Sequence, residues 1–188
     1  VFRGHKADIF EGGHRVPFIA RWTGHVEPGS RTARPICLSD LMATAAELSG
    51  TELAVEEGVD SISFLPILLD EKSSSVRDAT VHHSINGAFA ITKGNWKLAL
   101  CPGSGGWSDP RPERNDMSKL PPIQLYDLSK DIGEKNNVAE KHPEVVKELT
   151  DLLQSYVDRG RSTPGPDQKN DRIIDIYKAG REAHQHRN

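Results

Sequence analysis

The chain has 188 residues, of which 36% are hydrophobic and 27% charged, and a net charge of −3. That balance gives a polar composition with material for one modest core rather than a disordered chain. No apolar run approaches the roughly 20 residues that cross a bilayer, and the charge offers no general attraction for nucleic acid or anionic lipid. Cys37 and Cys101 are too few for a disulfide framework or a zinc cluster and read as two buried thiols.

The first residues, Val1-Phe2-Arg3-Gly4, show no signal-peptide pattern, which leaves the compartment open. Arg3, His5, Lys6, His14 and Arg15 then crowd into one short segment that also contains Gly12-Gly13, a pair suited to positive φ or close backbone approach. Such a loop is either a solvated charge run or an anion-binding element. Residues 16–22, Val-Pro-Phe-Ile-Ala-Arg-Trp, predict a strand covered on both faces, with Pro17 tolerable near its start. Ser39 as N-cap, Leu41, Ala45 and Leu48 at helical spacing, and Gly50 as a stop predict a helix. One strand and one helix cannot complete a doubly wound sheet, so its other strands are expected outside these residues.

The second region changes character. Residues 88–92 and 96–100 alternate apolar and polar positions around Lys93-Gly94-Asn95 and predict an antiparallel hairpin. Residues 123–127, with 81–84 as a further candidate, extend it to a small antiparallel sheet. Pro143, the apolar positions 145, 146, 149, 152, 153, 156 and 157, and Gly160 predict an amphipathic helix covering one face of that sheet. The Gly- and Pro-rich loop from Cys101 to Pro122, which carries Trp107, is long enough to be functional or mobile. From Arg161 the chain is a polar, His-containing tail, read as a surface or partner-dependent extension. The expected division is 1–80, the end of a main α/β domain; 81–160, an α+β subdomain; and 161–188, the tail.

Adjacent His82 and His83 on a strand point to opposite faces, so they do not easily share a metal. One reading packs one and exposes the other. The alternative places His83 or Asn86 at the edge of a substrate pocket, with Trp107 available to stack on a sugar or aryl group.

The order Gly4, Lys6, Glu11, Gly12, Gly13, Arg15, Pro17, followed by Trp22 and Gly24, resembles a signature segment of the sulfatase family. The likeness continues through Pro28-Gly29, Asp40, the segment Gly58 to Pro66, Trp96-Lys97-Leu98 and Leu125-Tyr126-Asp127-Leu128, spanning roughly residues 1–158 in family order. It implies the C-terminal part of an alkaline-phosphatase-like α/β sandwich, with a small antiparallel-sheet subdomain packed by a C-terminal helix. It also implies a sulfuric ester hydrolase of the arylsulfatase type, acting on a small-molecule or glycan sulfate ester in a periplasmic or secreted setting.

The family's lysine contacts the sulfate beside the catalytic residue, which makes Lys6 the catalytic candidate; a compact ammonium neutralises oxygen charge as the sulfur–oxygen bond breaks. His5 is a weaker substrate-binding candidate, and Gly4, Glu11, Gly12, Gly13 and Arg15 are expected to hold the loop. The family makes its nucleophile, formylglycine, within Cys/Ser-x-Pro/Ala-x-Arg. Cys37 precedes Leu-Ser-Asp-Leu and Cys101 precedes Pro-Gly-Ser-Gly, so neither fits. The family's calcium ligands, an Asp pair and an Asp-Asn pair, are likewise expected upstream, in a missing N-terminal part of the same domain, with no metal held by the residues present. A phosphate or phosphonate ester hydrolase of the same superfamily and a non-catalytic module for sulfated glycans are the alternatives.

Overall fold

The computed structural model describes residues 1–70, 72–74, 76–111 and 114–178. They form two compact units. The first comprises Val1–Val16, Val81–Val157 and the described residues from Asn170, and the second comprises Pro17–Thr80 and Asp158–Lys169.

The first unit is built on a four-stranded sheet in the order β1 (Ala79–His83), β2 (Phe89–Lys93), β3 (Trp96–Ala99), β4 (Gln124–Asp127). The hairpin lies where the alternation predicts it. β2 and β3 pair antiparallel with Lys93 opposite Trp96, and Gly94 adopts φ +56° in the two-residue turn. β4 pairs antiparallel with β3, placing Leu98 opposite Leu125 and Lys97 opposite Tyr126. Alternation gives the sheet two faces. Ile91, Leu98 and Leu125 are fully buried on one, each such side chain contributing roughly 1.5–3 kcal/mol. The helix α4 (Pro143–Arg159) meets this face: Lys93 Nζ lies 3.1 Å from Glu148 Oε1, and the Trp96 ring is 5.0 Å from that of His142. Leu149 and Leu153 form the buried stripe of α4, and Gly160 at φ +63° ends it. On the opposite face Ala90, Ala99 and Tyr126 join Ile9, Phe10, Ala88, Cys101 and Leu128 in one cluster, which seats the N-terminal segment on the sheet.

In the second unit, α2 (Asp40–Ser49) ends at Gly50 with φ +67° as expected, but its buried face is the polar one. Asp40 and Thr44 are buried while Leu41 and Leu48 remain 47% and 49% exposed. Hydrogen bonding explains the inversion. Asp40 accepts from the Cys37 and Ile62 amides at 2.7 and 3.0 Å and pairs with the buried Arg77 guanidinium; Thr44 Oγ1 accepts from the Phe64 amide at 3.0 Å. Ser39 occupies the N-cap position without a side-chain cap bond. The short α3 (Leu65–Leu69) follows, opened by Pro66 in its first turn.

The strand predicted over 16–22 is not formed. The segment has no regular secondary structure and no strand partner among the described residues, with Val16 and Ile19 62% and 91% exposed. A parallel strand gains stability only from hydrogen-bonded neighbours and a layer on each face, and the described residues provide none. The Phe18 ring, edge-on to Phe64 at 5.4 Å, is its tether within this unit. Of the described residues after Arg161, some are anchored: the Ser162 amide and hydroxyl donate to Asp60 at 2.8 and 2.7 Å, Thr163 donates to the Val59 carbonyl, and Ile176 is buried in the first unit. Residues 179–188 of the expected tail lie outside the described residues.

Candidate active site

The lysine segment folds as a tight turn followed by one helical turn. The Asp8 amide donates to the His5 carbonyl at 3.0 Å, which places Lys6 and Ala7 at the two corners. Ala7 adopts φ +87°, the conformation that the third residue of a type II turn requires and that a residue with a Cβ rarely takes. Such a conformation persists only where the surroundings over-determine it. Here the Ala7 carbonyl accepts from the Ile85 amide at 2.8 Å, the Ile9 amide donates to the Ser104 carbonyl at 2.8 Å, and a Cβ on Gly106 would lie 2.4 Å from the Ala7 oxygen. The turn is therefore clasped by the β1–β2 connection on one side and the Cys101–Pro110 loop on the other. The loop expected over Cys101 to Pro122 to be functional or mobile is buried from Gly103 to Gly106.

The Gly-Gly pair serves close approach. A Cβ on Gly12 would stand 2.3 Å from the Gly4 carbonyl, and one on Gly13 would stand 2.1 Å from the Asp8 carbonyl. Both lie in α1 (Glu11–His14), a single turn. Gly4 contributes φ +76° to the same compact path.

Beneath the turn is a buried ionic cluster. Lys97, fully buried on β3, places Nζ 3.0 Å from Glu11 Oε1, 2.8 Å from Glu134 Oε1 and 3.2 Å from His14 Nε2. Glu11 also meets Arg15 Nε at 2.5 Å and His14 at 3.2 Å. Glu134 Oε2 accepts the Glu11 amide at 2.6 Å, while its carbonyl accepts Arg3 Nη1 at 2.6 Å. The two carboxylates diverge electrostatically. Burial pushes Glu11 up, but His14 and Lys97 outweigh it and hold the carboxyl well below its usual range. At Glu134 burial prevails over Lys97 and the pKa is raised. His82 packs on His14 with ring centroids 3.7 Å apart, and both its enclosed nitrogens lack partners among the described residues. Burial first, then the charges of His14 and Lys97, depress its pKa well below the ordinary histidine value and keep it neutral.

Most charged groups of the segment thus find partners in this unit; Arg15 does so while exposed, and two further residues stand at the surface. Lys6 is exposed, and its ammonium makes no hydrogen bond or ion pair among the described residues. His5 is exposed beside it, with Nδ1 2.9 Å from the Lys6 carbonyl. Asn86 is exposed on the connection whose Ile85 amide holds Ala7, and Trp107 is 49% exposed on the loop whose amide reaches Asp8. His5, Lys6, Asn86 and Trp107 therefore sit on three segments tied directly together. His83 stands at the end of β1, edge-on to Phe89 at 4.2 Å, the exposed member of the His pair. Sequence reasoning passed over Asp8, Lys97 and Glu134, the residues that hold the turn. An aspartate two places from the lysine and a lysine inside an apolar strand were the available signals.

Cys101 is buried and its thiol is pushed up to about 12 by burial. Among the described residues no three His, Cys, Asp or Glu side chains converge as a metal site. Asp8, Glu11 and Glu134 are each committed to donors, so these residues do not fit the calcium ligand set the resemblance implies.

No family model matches the chain. It is 37% identical over 162 residues to the N-acetylgalactosamine-6-O-sulfatase of Bacteroides thetaiotaomicron, covering 85% of this chain and 30% of that protein. It is 34% identical over 184 residues to arylsulfatase A of Homo sapiens, covering 89% of this chain and 36% of that one. A Bacteroides thetaiotaomicron structure named for the metabolism of multiple glycosaminoglycans superposes with TM-score 0.70 at 36% identity, over 84% of this chain and 32% of its own. A Pseudoalteromonas sp. sulfatase gives TM-score 0.69 at 21% identity, over 89% and 34%, a likeness of fold. The fold is that of the C-terminal part of an alkaline-phosphatase-like α/β sandwich with its small antiparallel-sheet subdomain. The chain belongs to the sulfatase family, and it spans about a third of the length of the relatives it matches.

Proposed function

We propose that this chain supplies the lysine-bearing wall of a sulfuric ester hydrolase of the arylsulfatase type. The observation that carries the reading is the exposed Lys6 ammonium, unpartnered among the described residues at the corner of a turn whose other charges are all engaged. Cleavage of a sulfate ester moves charge onto the sulfate and leaving-group oxygens. A fixed ammonium donating to a non-bridging oxygen stabilises that charge more in the transition state than in the ground state. The ionic cluster around Lys97 and the glycine contacts keep the turn from relaxing, so the ammonium does not need to be reorganised as charge develops. Calcium and formylglycine would supply the Lewis acid and the nucleophile in the full-length protein, from residues outside this chain.

The exposed apolar side chains Ile19, Trp22, Leu41, Met42 and Leu48 support the further reading that the remainder of the same domain covers the second unit. The substrate class proposed is a glycan or aryl sulfate ester, a coarser extension of what the relatives' names state of them. A periplasmic or secreted setting is proposed on the family resemblance; among the described residues no helix is long and apolar enough to cross a membrane. The test is Lys6→Ala in the full-length protein, assayed on paired aryl sulfate and aryl phosphate. Turnover of the sulfate is expected to fall about 10²–10³-fold, as loss of one charge-stabilising donor commonly does. Unchanged kinetics remove Lys6 from the site, and faster cleavage of the phosphate by the parent enzyme replaces the sulfatase reading with the phosphatase one.

A further inference from the structure

We infer that Asp8 is a positioning residue for Lys6, and that through the same carboxylate it holds the Trp107 loop beside that lysine as the surface meeting the alcohol part of the ester. The inference rests on the reading of Lys6 given above. Asp8 is 2% exposed, and its one ion-pair contact among the described residues is the His5 ring, with Nδ1 4.0 Å away. Four donors hold it instead. Oδ2 accepts from the His5 amide at 2.8 Å and the Ser108 hydroxyl at 2.5 Å; Oδ1 accepts from the Trp107 and Ser108 amides at 2.8 and 3.0 Å. One carboxylate therefore binds the residue that opens the Lys6 turn and two consecutive amides of a loop a hundred positions away.

Burial pushes the Asp8 carboxyl up, but the Ser108 hydroxyl and the Ser108, His5 and Trp107 amides outweigh it and hold the pKa below the usual range, so the charge is fixed by neutral donors from both segments. Its geometry matches a fixing role. Asp8 follows directly on Ala7, whose strained φ of +87° aims the Lys6 corner outward, and the His5 amide it binds begins the same turn. On the other side the loop is buried from Gly103 to Gly106 and surfaces at Trp107, the residue whose amide Asp8 holds. A half-exposed indole on a buttressed backbone presents a flat apolar face with little conformational freedom to lose on binding a ring. Sulfate recognition and leaving-group recognition are thereby anchored to one side chain.

The test is a double-mutant cycle in the full-length enzyme, with a small alkyl sulfate and a sulfated monosaccharide as substrates. Asp8→Asn is expected to lower kcat on the alkyl sulfate about 10–100-fold, the scale of a misplaced reacting group. In a Lys6→Ala background the same substitution should change kcat by no more than about twofold, because a residue that acts through another is silent once that other is gone. Losses that multiply overturn the positioning role. Unchanged turnover in Lys6→Ala alone overturns the sulfate-site reading, and this inference with it. Should Asp8→Asn fail to fold, Ser108→Ala removes a single donor and is expected to give a smaller loss, equally silent in the Lys6→Ala background. Trp107→Ala should reduce kcat/KM about tenfold on the monosaccharide, the scale of one lost ring contact, and leave the alkyl sulfate unaffected. Equal losses on both substrates remove the leaving-group role of the loop.

Discussion

Replacing Lys97 with methionine keeps an unbranched stem and deletes the charge between Glu11 and Glu134. Lys97 is fully buried, 3.0 Å from one carboxylate and 2.8 Å from the other. Removing one partner from a buried ion cluster costs about 3–5 kcal/mol, because the remaining charges keep their desolvation penalty. The two carboxylates do not share that loss equally. Glu11 retains His14 and Arg15, whereas Oε1 of Glu134 has no other partner among the described residues. Burial already lifts Glu134 above its ordinary 4.5 against the opposing pull of Lys97; without Lys97 it rises further and takes up a proton. A carboxyl with a raised folded-state pKa binds more protons folded than unfolded. Its stability contribution is therefore present below the unfolded value and lost as pH climbs through the folded one. The deficit of Lys97→Met should be largest near neutrality and shrink on acidification, until Glu11, whose pKa is lowered, begins to lose its own contribution below 4.5. Urea unfolding of the full-length protein between about pH 7.5 and 5.5 reads both effects. Adding Glu134→Gln should recover about 1–3 kcal/mol, the coupling expected of residues in one network. A loss below about 1 kcal/mol with no pH dependence refutes the buried counter-ion.

Ala7→Gly removes a side chain from a position at φ +87° and should raise stability by about 1 kcal/mol, the released strain less the entropy gained by the unfolded chain; a lower unfolding midpoint counts against a strained turn. Gly12→Ala drives a Cβ toward the Gly4 carbonyl, 2.3 Å away, and should lower turnover with the Lys6 turn, which steady-state kinetics would show. Asp40→Ala leaves Arg77 buried without its carboxylate and should destabilise the second unit by about 3–5 kcal/mol; a denaturation curve matching the parent refutes the pair's importance. Cys101, buried with a thiol pushed up to about 12, should resist alkylation at about pH 8 until the protein unfolds. Rapid labelling of the native protein, read by mass spectrometry, contradicts its burial.

Local rules carried the second half of the chain. Period-two alternation around Gly94 and the Pro143-to-Gly160 frame of α4 are signals contained within a few turns of backbone, and both elements formed where those signals lie. The first half depended on partners that no window of sequence displays. The run from Val16 to Trp22 has the composition of a covered strand, but composition cannot supply its hydrogen-bonding neighbours. At α2 the apolar period marked a real helix but not its buried face, because the amides of Cys37, Ile62 and Phe64 and the Arg77 guanidinium, most of them distant in sequence, draw Asp40 and Thr44 inward. The site divides in the same way. Lys6 and the glycine pair were visible in the order of residues, whereas Lys97 and Glu134 stand 86 and 123 positions from Glu11 and became partners only through the β3–β4 register and the loop that follows it.

The inverted α2 separates two kinds of defect that are usually confounded. A polar substitution at Leu41 or Leu48 alters side chains that are about half exposed in the second unit, at 47% and 49%. Substitution at Asp40 or Thr44 removes what this unit is folded around. One helix therefore offers two sets of mutations, on faces roughly 100° apart, with which loss of an exposed apolar surface can be told from failure to fold.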